Sequence, residues 1–278
     1  MKQRIAEIAG FLFIIIISSS VLGRPAWAAD GPLSDGDTGS VTYPSSFESF
    51  KLEADLELPD DVKDRVPAMI IVHGTAGVAY REKSWADFFQ DQGIASMVID
   101  YFGPRGIDKD SRHKPEPPFD VVDAFKALLS HPKIDPDRIG VIGFSRGAGM
   151  ALTTANFDAN MTGGHAFAAH VSLYPAYISG YSITNGGSKA PIMLMLGTKD
   201  SYTTVKGIKK LQKQGLDNGR QVDLKIYEGA YHMWDADKDG RYTLTNGAVV
   251  EFRPDWEVTK QSRKDVMEFL KGPLKLEK

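Results

Sequence analysis

Four short apolar runs in this chain fail to alternate, and that failure dictates how they can be packed. They are AMIIV (68–72), IASMVID (94–100), RIGVIGF (138–144) and PIMLML (191–196). A strand with one wet face shows a period of two, so runs like these must be covered on both sides, as in a parallel sheet between helices. Helical patterns fall between them. Residues 84–92 carry Trp85, Phe88 and Phe89, and 119–129 carry Val122, Phe125, Leu128 and Leu129 at helical spacing. Residues 205–216 are amphipathic and lysine-rich, and 256–270 close the pattern. Strand and helix in alternation predict an α/β chain with a mostly parallel, doubly wound sheet and helices on both faces. An earlier run, FKLEADLEL (50–58), does alternate, with Phe50, Leu52, Ala54, Leu56 and Leu58 on one side, so an antiparallel strand with a wet face is expected there.

The 278 residues suit one such domain, over 47–273. Residues 29–46 are polar and rich in Gly, Ser and Asp, and read as a flexible leader. Before them, Lys2 and Arg4 precede an apolar run over 8–22, and AWA at 26–28 has the small-x-small form of a cleavage site. Residues 1–28 therefore read as a signal peptide. The apolar run falls short of the ~20 residues needed to span a bilayer, so no stable membrane anchor is expected after cleavage. A mature chain starting near Ala29 is expected in the periplasm or outside the cell.

Loss of Lys2, Arg4, Glu7 and Arg24 removes a net charge of +2, which moves the formal charge from −3 to −5. An acidic exported chain has no electrostatic footprint for nucleic acid. It contains no cysteine, which rules out disulfides and thiol chemistry. Nothing in the pattern sets an oligomeric state.

The apolar run RIGVIGF leads without a break into SRGAGMAL, so Gly143-Phe144-Ser145-Arg146-Gly147 stands where a strand turns sharply into a helix. The G-x-S-x-G elbow holds a serine hydroxyl at such a turn in strained backbone, which only small flanking residues permit. A hydroxyl is a weak nucleophile until a base takes its proton. Of six histidines, His113 and His131 lie in polar or Pro-flanked loops, His165 and His170 flank AFAA, and His73 ends an early strand. His232 follows the strand pattern at 224–227 and opens a loop, which is where a base belongs in the order Ser, acid, His. Between them, Asp200 stands four residues past the end of PIMLML. The expected triad is Ser145, Asp200 and His232. In VHGTAG, Gly74 lets the following backbone approach a reacting carbonyl, so the N–H groups of Thr75 and Arg146 are expected to form the oxyanion hole.

Taken together, VHGTAG, VIDYFGPRG, DPDRIGVIGFSRGA, MLGTKDSYT and EGAYHMWD resemble the dienelactone hydrolase family of α/β-hydrolases over roughly residues 47–270. The resemblance implies an α/β-hydrolase fold with Ser145 as nucleophile, His232 as base and Asp200 as acid. It also brings in Arg105, whose F-x-P-R-G segment is typical of the group and implies a guanidinium near the site mouth. The family's namesake uses a cysteine nucleophile, so a serine here points to general hydrolysis of small-molecule carboxylic esters or lactones, with no cofactor required.

Arg105 has two readings, a fork for a substrate carboxylate or a tie between loops. Phe144 is either a packing ring or a substrate contact. DADKDGRYTLTN (235–246) matches the first half of a calcium loop, with Asp235, Asp237 and Asp239 at positions 1, 3 and 5 and Gly240 at 6, but Asn246 at position 12. A structural calcium there would rigidify the loop that carries His232. Two other functions fit the same residues: a peptidase on this scaffold, or an inactive hydrolase-like module that binds in a calcium-dependent way.

Overall fold

The computed structural model describes residues 32–108, 111, 114–243 and 249–276. The expected signal peptide (1–28), His113 and Asn246 lie outside the described residues.

The described residues form ten strands: β1 (Gly39–Pro44), β2 (Lys51–Glu57), β3 (Val66–Val72), β4 (Ala95–Asp100), β5 (Ile134–Phe144), β6 (His170–Leu173), β7 (Ile192–Gly197), β8 (Val222–Tyr227), β9 (Gly240–Thr243) and β10 (Val249–Phe252). Its helices are α1 (Tyr80–Asp91), α2 (Pro118–Ser130), α3 (Arg146–Thr154), α4 (Val205–Asp217) and α5 (Trp256–Leu270). Eight strands make one sheet in the order β1-β2-β4-β3-β5-β6-β7-β8. β1 and β2 run antiparallel, and the sheet is parallel from β4 across to β8.

Burial of the central strands follows the expected logic. Along β3, Ala68, Ile70 and Val72 join one apolar cluster with Phe125 and Leu128 of α2, while Met69 and Ile71 join the other with Trp85 and Phe89 of α1 and Leu270 of α5. Alternate side chains thus feed two cores, which is why the run shows no polar positions. β2 alternates as expected, with Leu52, Ala54 and Leu56 buried.

The flexible leader expected over 29–46 is corrected by β1, which pairs with β2 from Gly39 to Pro44. Val41 and Tyr43 point inward there, 7% and 1% exposed. The signal was an alternating V-T-Y inside a glycine- and serine-rich setting, and the setting hid it. The β9–β10 hairpin, antiparallel and separate from the main sheet, was also unforeseen. Among the described residues, no helix is long and apolar enough to cross a membrane.

Candidate active site

β5 ends at Phe144 and α3 begins at Arg146, leaving Ser145 alone at the turn with φ 53° and ψ −109°. That backbone is strained for a residue with a side chain, and such strain persists only where the surroundings enforce it. They do so through the two glycines. A Cβ at Gly147 would lie 2.2 Å from the Val72 carbonyl oxygen, and one at Gly143 would lie 2.1 Å from the Gly147 carbonyl oxygen. The elbow is packed directly against the end of β3, and no larger residue fits at either side of it.

His232 and Asp200 come from the loops after β8 and β7. These loops are tied together by Lys199 N–H donating to the Ala230 carbonyl at 2.9 Å and Thr198 N–H to the Tyr227 carbonyl at 3.0 Å. Asp200 Oδ1 accepts from the N–H groups of Tyr202 and Thr203 at 2.8 and 2.9 Å, which leaves Oδ2 facing the histidine. His232 Nδ1–H donates to Asp200 Oδ2 at 2.7 Å, so Nε2 is the free acceptor, and it stands 2.9 Å from Ser145 Oγ. Ser145, Asp200 and His232 therefore come together in the expected order. The side chains of His232 and Asp200 are wholly buried, and the imidazole lies between the rings of Tyr174 and Tyr202, at 4.9 and 4.7 Å between centroids.

Thr75 and Ser145 line the same cavity. The turn before Thr75 is braced: Tyr101 O–H donates to the His73 carbonyl at 3.0 Å, His73 Nδ1–H donates to the Gly74 carbonyl at 2.7 Å, and the His73 and Tyr101 rings stack at 3.9 Å. Arg146 is the first residue of α3, so its N–H has no partner within the helix. Its guanidinium reaches sideways to Thr75 Oγ1, the Lys114 carbonyl and Glu116 Oε1.

For Arg105 and Phe144 the geometry favours one of the two readings left open. Arg105 does not face substrate: its guanidinium forks onto Asp120 at 2.6 and 3.0 Å and also reaches Glu48 and the Tyr101 carbonyl. Phe144 is fully buried between Trp85, Tyr174 and the Arg81 guanidinium, so it is a packing ring. The first aspartate of the calcium-like loop points inward. Asp235 is 5% exposed and accepts from Trp85 Nε1 at 2.8 Å and from the Tyr174 hydroxyl at 2.5 Å, while Asp237 and Asp239 point to solvent. Among the described residues no cluster of three or more metal-binding side chains forms. Burial also pushes the Asp235 carboxyl above the usual carboxylate range.

Sequence reasoning missed the buried group beneath the elbow, in which Arg81 pairs with Glu82 beside Asp235, Trp85 and Tyr174. Nothing in the sequence separates consecutive Arg-Glu at the start of α1 from a solvated helix turn, and only burial distinguishes it. The tyrosine pair Tyr202 and Tyr242, whose hydroxyls are hydrogen-bonded, was equally invisible because it joins the acid loop to the unforeseen hairpin.

A parallel sheet with its antiparallel edge, a serine elbow between β5 and α3, and an acid and a histidine from later loops define an α/β-hydrolase. The dienelactone hydrolase family matches residues 52–272, and the chain belongs to it. Among solved structures, a putative dienelactone hydrolase from Klebsiella pneumoniae subsp. pneumoniae aligns with TM-score 0.64 at 16% identity, covering 84% of this chain and 97% of that one. A thermophilic esterase from Thermogutta terrifontis aligns with TM-score 0.60 at 17% identity over 84% and 92% of the two chains. At these identities the likeness is one of fold. A quorum-quenching protein, AidA, from Acinetobacter baumannii is 28% identical over 155 residues, 51% of this chain and 47% of that protein. The matched region thus spans about half the length of that relative.

Proposed function

We propose that this hydrolase is an exported serine esterase acting on small-molecule carboxylic esters or lactones. The observation that carries the reading is the connected pair of contacts Asp200 to His232 to Ser145, at 2.7 and 2.9 Å. Ser145 Oγ attacks the ester carbonyl carbon as His232 Nε2 takes its proton. The developing oxyanion accepts from the N–H groups of Thr75 and Arg146, and one such donor is typically worth about 10²- to 10³-fold in rate. As the intermediate collapses, the carbon–oxygen bond to the alcohol breaks and His232 passes the proton to that oxygen. Water then attacks the acyl-enzyme, its proton goes to His232, and the released acid leaves Ser145 protonated again. Asp200 keeps the imidazole in the tautomer that accepts from serine and stabilises the imidazolium.

Export rests on the charged, apolar and small-x-small segments of residues 1–28. One experiment tests both parts. The full chain is expressed with its N-terminus, labelled with a fluorophosphonate probe and assayed on short p-nitrophenyl esters. The expected result is label and turnover that vanish in Ser145→Ala, carried by a chain whose N-terminus lies near Ala29. Undiminished label in Ser145→Ala sinks the nucleophile, and label only on a chain that retains Met1 sinks export.

A further inference from the structure

Beside the nucleophile lies a half-open cavity of about 300 Å³. It is lined by Ser145, the Gly74–Ala76 turn and Arg81, whose guanidinium is held by Glu82, together with Met233, Tyr242 and Phe252. The last three form a wall from the β9–β10 hairpin and the residue after His232, and each part of it is held in place. The tip of the Phe252 ring lies against Gly240, where a Cβ would fall 2.0 Å from the ring carbon Cζ, so a side chain at 240 would displace the ring. Phe252 also pairs with His232 as an isolated bridge, which fixes the hairpin to the catalytic loop. Tyr242 is hydrogen-bonded through its hydroxyl to Tyr202, two residues past Asp200. Met233 takes φ 57°, a left-handed backbone that is rare for a residue with a side chain and that turns it toward the cavity.

From this arrangement we propose that Met233, Tyr242 and Phe252 form the acyl-binding subsite and restrict the enzyme to esters of short apolar acids. The inference rests on the esterase reading above. The acyl side is chosen over the alcohol side by the lining. The leaving oxygen must receive its proton from His232 Nε2, yet His232 does not line this cavity, whereas Ser145 and the oxyanion turn do. The group that stays attached to the carbonyl carbon therefore enters it. At ~30 Å³ per water in the liquid, the volume holds on the order of ten non-hydrogen atoms. Met233, Tyr242 and Phe252 present a thioether and aromatic faces, Tyr242's hydroxyl is engaged by Tyr202, and the one cation of the lining, Arg81, is already neutralised by Glu82, so a charged acyl chain would give up its hydration for groups that already have partners.

The test is a p-nitrophenyl ester series from acetate through butyrate and octanoate to dodecanoate. Wild type is expected to show kcat/KM falling at least tenfold between butyrate and dodecanoate. Phe252→Ala and Met233→Ala each remove part of the wall and are expected to raise the dodecanoate-to-butyrate ratio of kcat/KM about tenfold. A ratio is read within one variant, so general damage to the site cancels. Equal or rising kcat/KM with chain length in wild type, or ratios unmoved in the variants, overturns the subsite. A wild-type enzyme that turns over no ester in the series overturns the esterase reading itself, a different result.

Discussion

Ser145 shows what a single residue contributes and what its neighbours must give up for it. Its positive φ is tolerated because Gly143 and Gly147 let the elbow pack against the carbonyls of β3 and of its own helix. Asp200 works in the opposite way, by being saturated. Two backbone N–H groups and the imidazole N–H account for both of its oxygens, so the carboxylate has one orientation and imposes one tautomer on His232. Asp200→Asn keeps the shape, but its amide can present N–H to Nδ1 and turn the ring to the tautomer that cannot accept from serine. The expected outcome is a loss in kcat of roughly 10³- to 10⁴-fold with the thermal midpoint little changed, the size seen when a triad acid is made neutral. Steady-state kinetics beside a melting curve check it, and a kcat within tenfold of wild type removes Asp200 from the triad.

The elements differ in how plainly the sequence announces them. α5 is found where its apolar spacing places it, and α4 and α2 lie within a residue of their expected ends, because burial of one face dominates their composition. β1 and the β9–β10 hairpin were missed because each is short and sits among Gly, Asp and Ser, residues that usually mark turns. The segment 232–239 shows the cost of reading spacing without burial. Aspartates at alternate positions suggested a metal, yet Asp235 turns inward and does by hydrogen bonding what calcium had been expected to do. It pins the histidine loop to α1 through Trp85 and to the end of β6 through Tyr174, while Trp234 of the same loop is held by Thr259 and Ser262 of α5. Asp235→Ala leaves two buried donors without an acceptor, an expected loss of roughly 2–4 kcal/mol, and frees the loop enough to lower kcat about tenfold or more. Asp235→Asn retains an acceptor for Trp85 and should recover part of both. Chemical denaturation and kcat read together decide it: an alanine variant of unchanged stability means that the loop is held by something else.

Across the molecule, the sheet buries both faces, and polar groups caught inside it are few and bear on global stability. Among the histidines, His131 in its Pro-flanked loop is only 1% exposed, and His170 opens β6 with no exposure at all. The burial of His131 was not legible, since a Pro-flanked loop says nothing about what covers it. In the folded chain His170 Nδ1 stands 3.1 Å from the Ala151 carbonyl, which assigns it the proton, and Nε2 has no partner among the described residues. Burial, with the Arg220 charge adding to it, lowers the His170 pKa to about 3. The unfolded chain titrates near the ordinary ~6.5, so between those values the unfolded state binds a proton that the folded state refuses. Stability is unaffected by this group above pH ~6.5 and is lost as pH falls below it, by up to ~1.4 kcal/mol per pH unit. His170→Asn can still donate to the Ala151 carbonyl and carries no titrating ring. The expected outcome is a variant whose unfolding free energy, measured by urea denaturation at steps from pH 7 to pH 4.5, falls less steeply than wild type. Carboxylates add their own slope to both proteins, and the difference between the two curves isolates the imidazole. Parallel curves over that window would mean that His170 takes up its proton without unfolding, and that the sheet is looser at β6 than its packing implies.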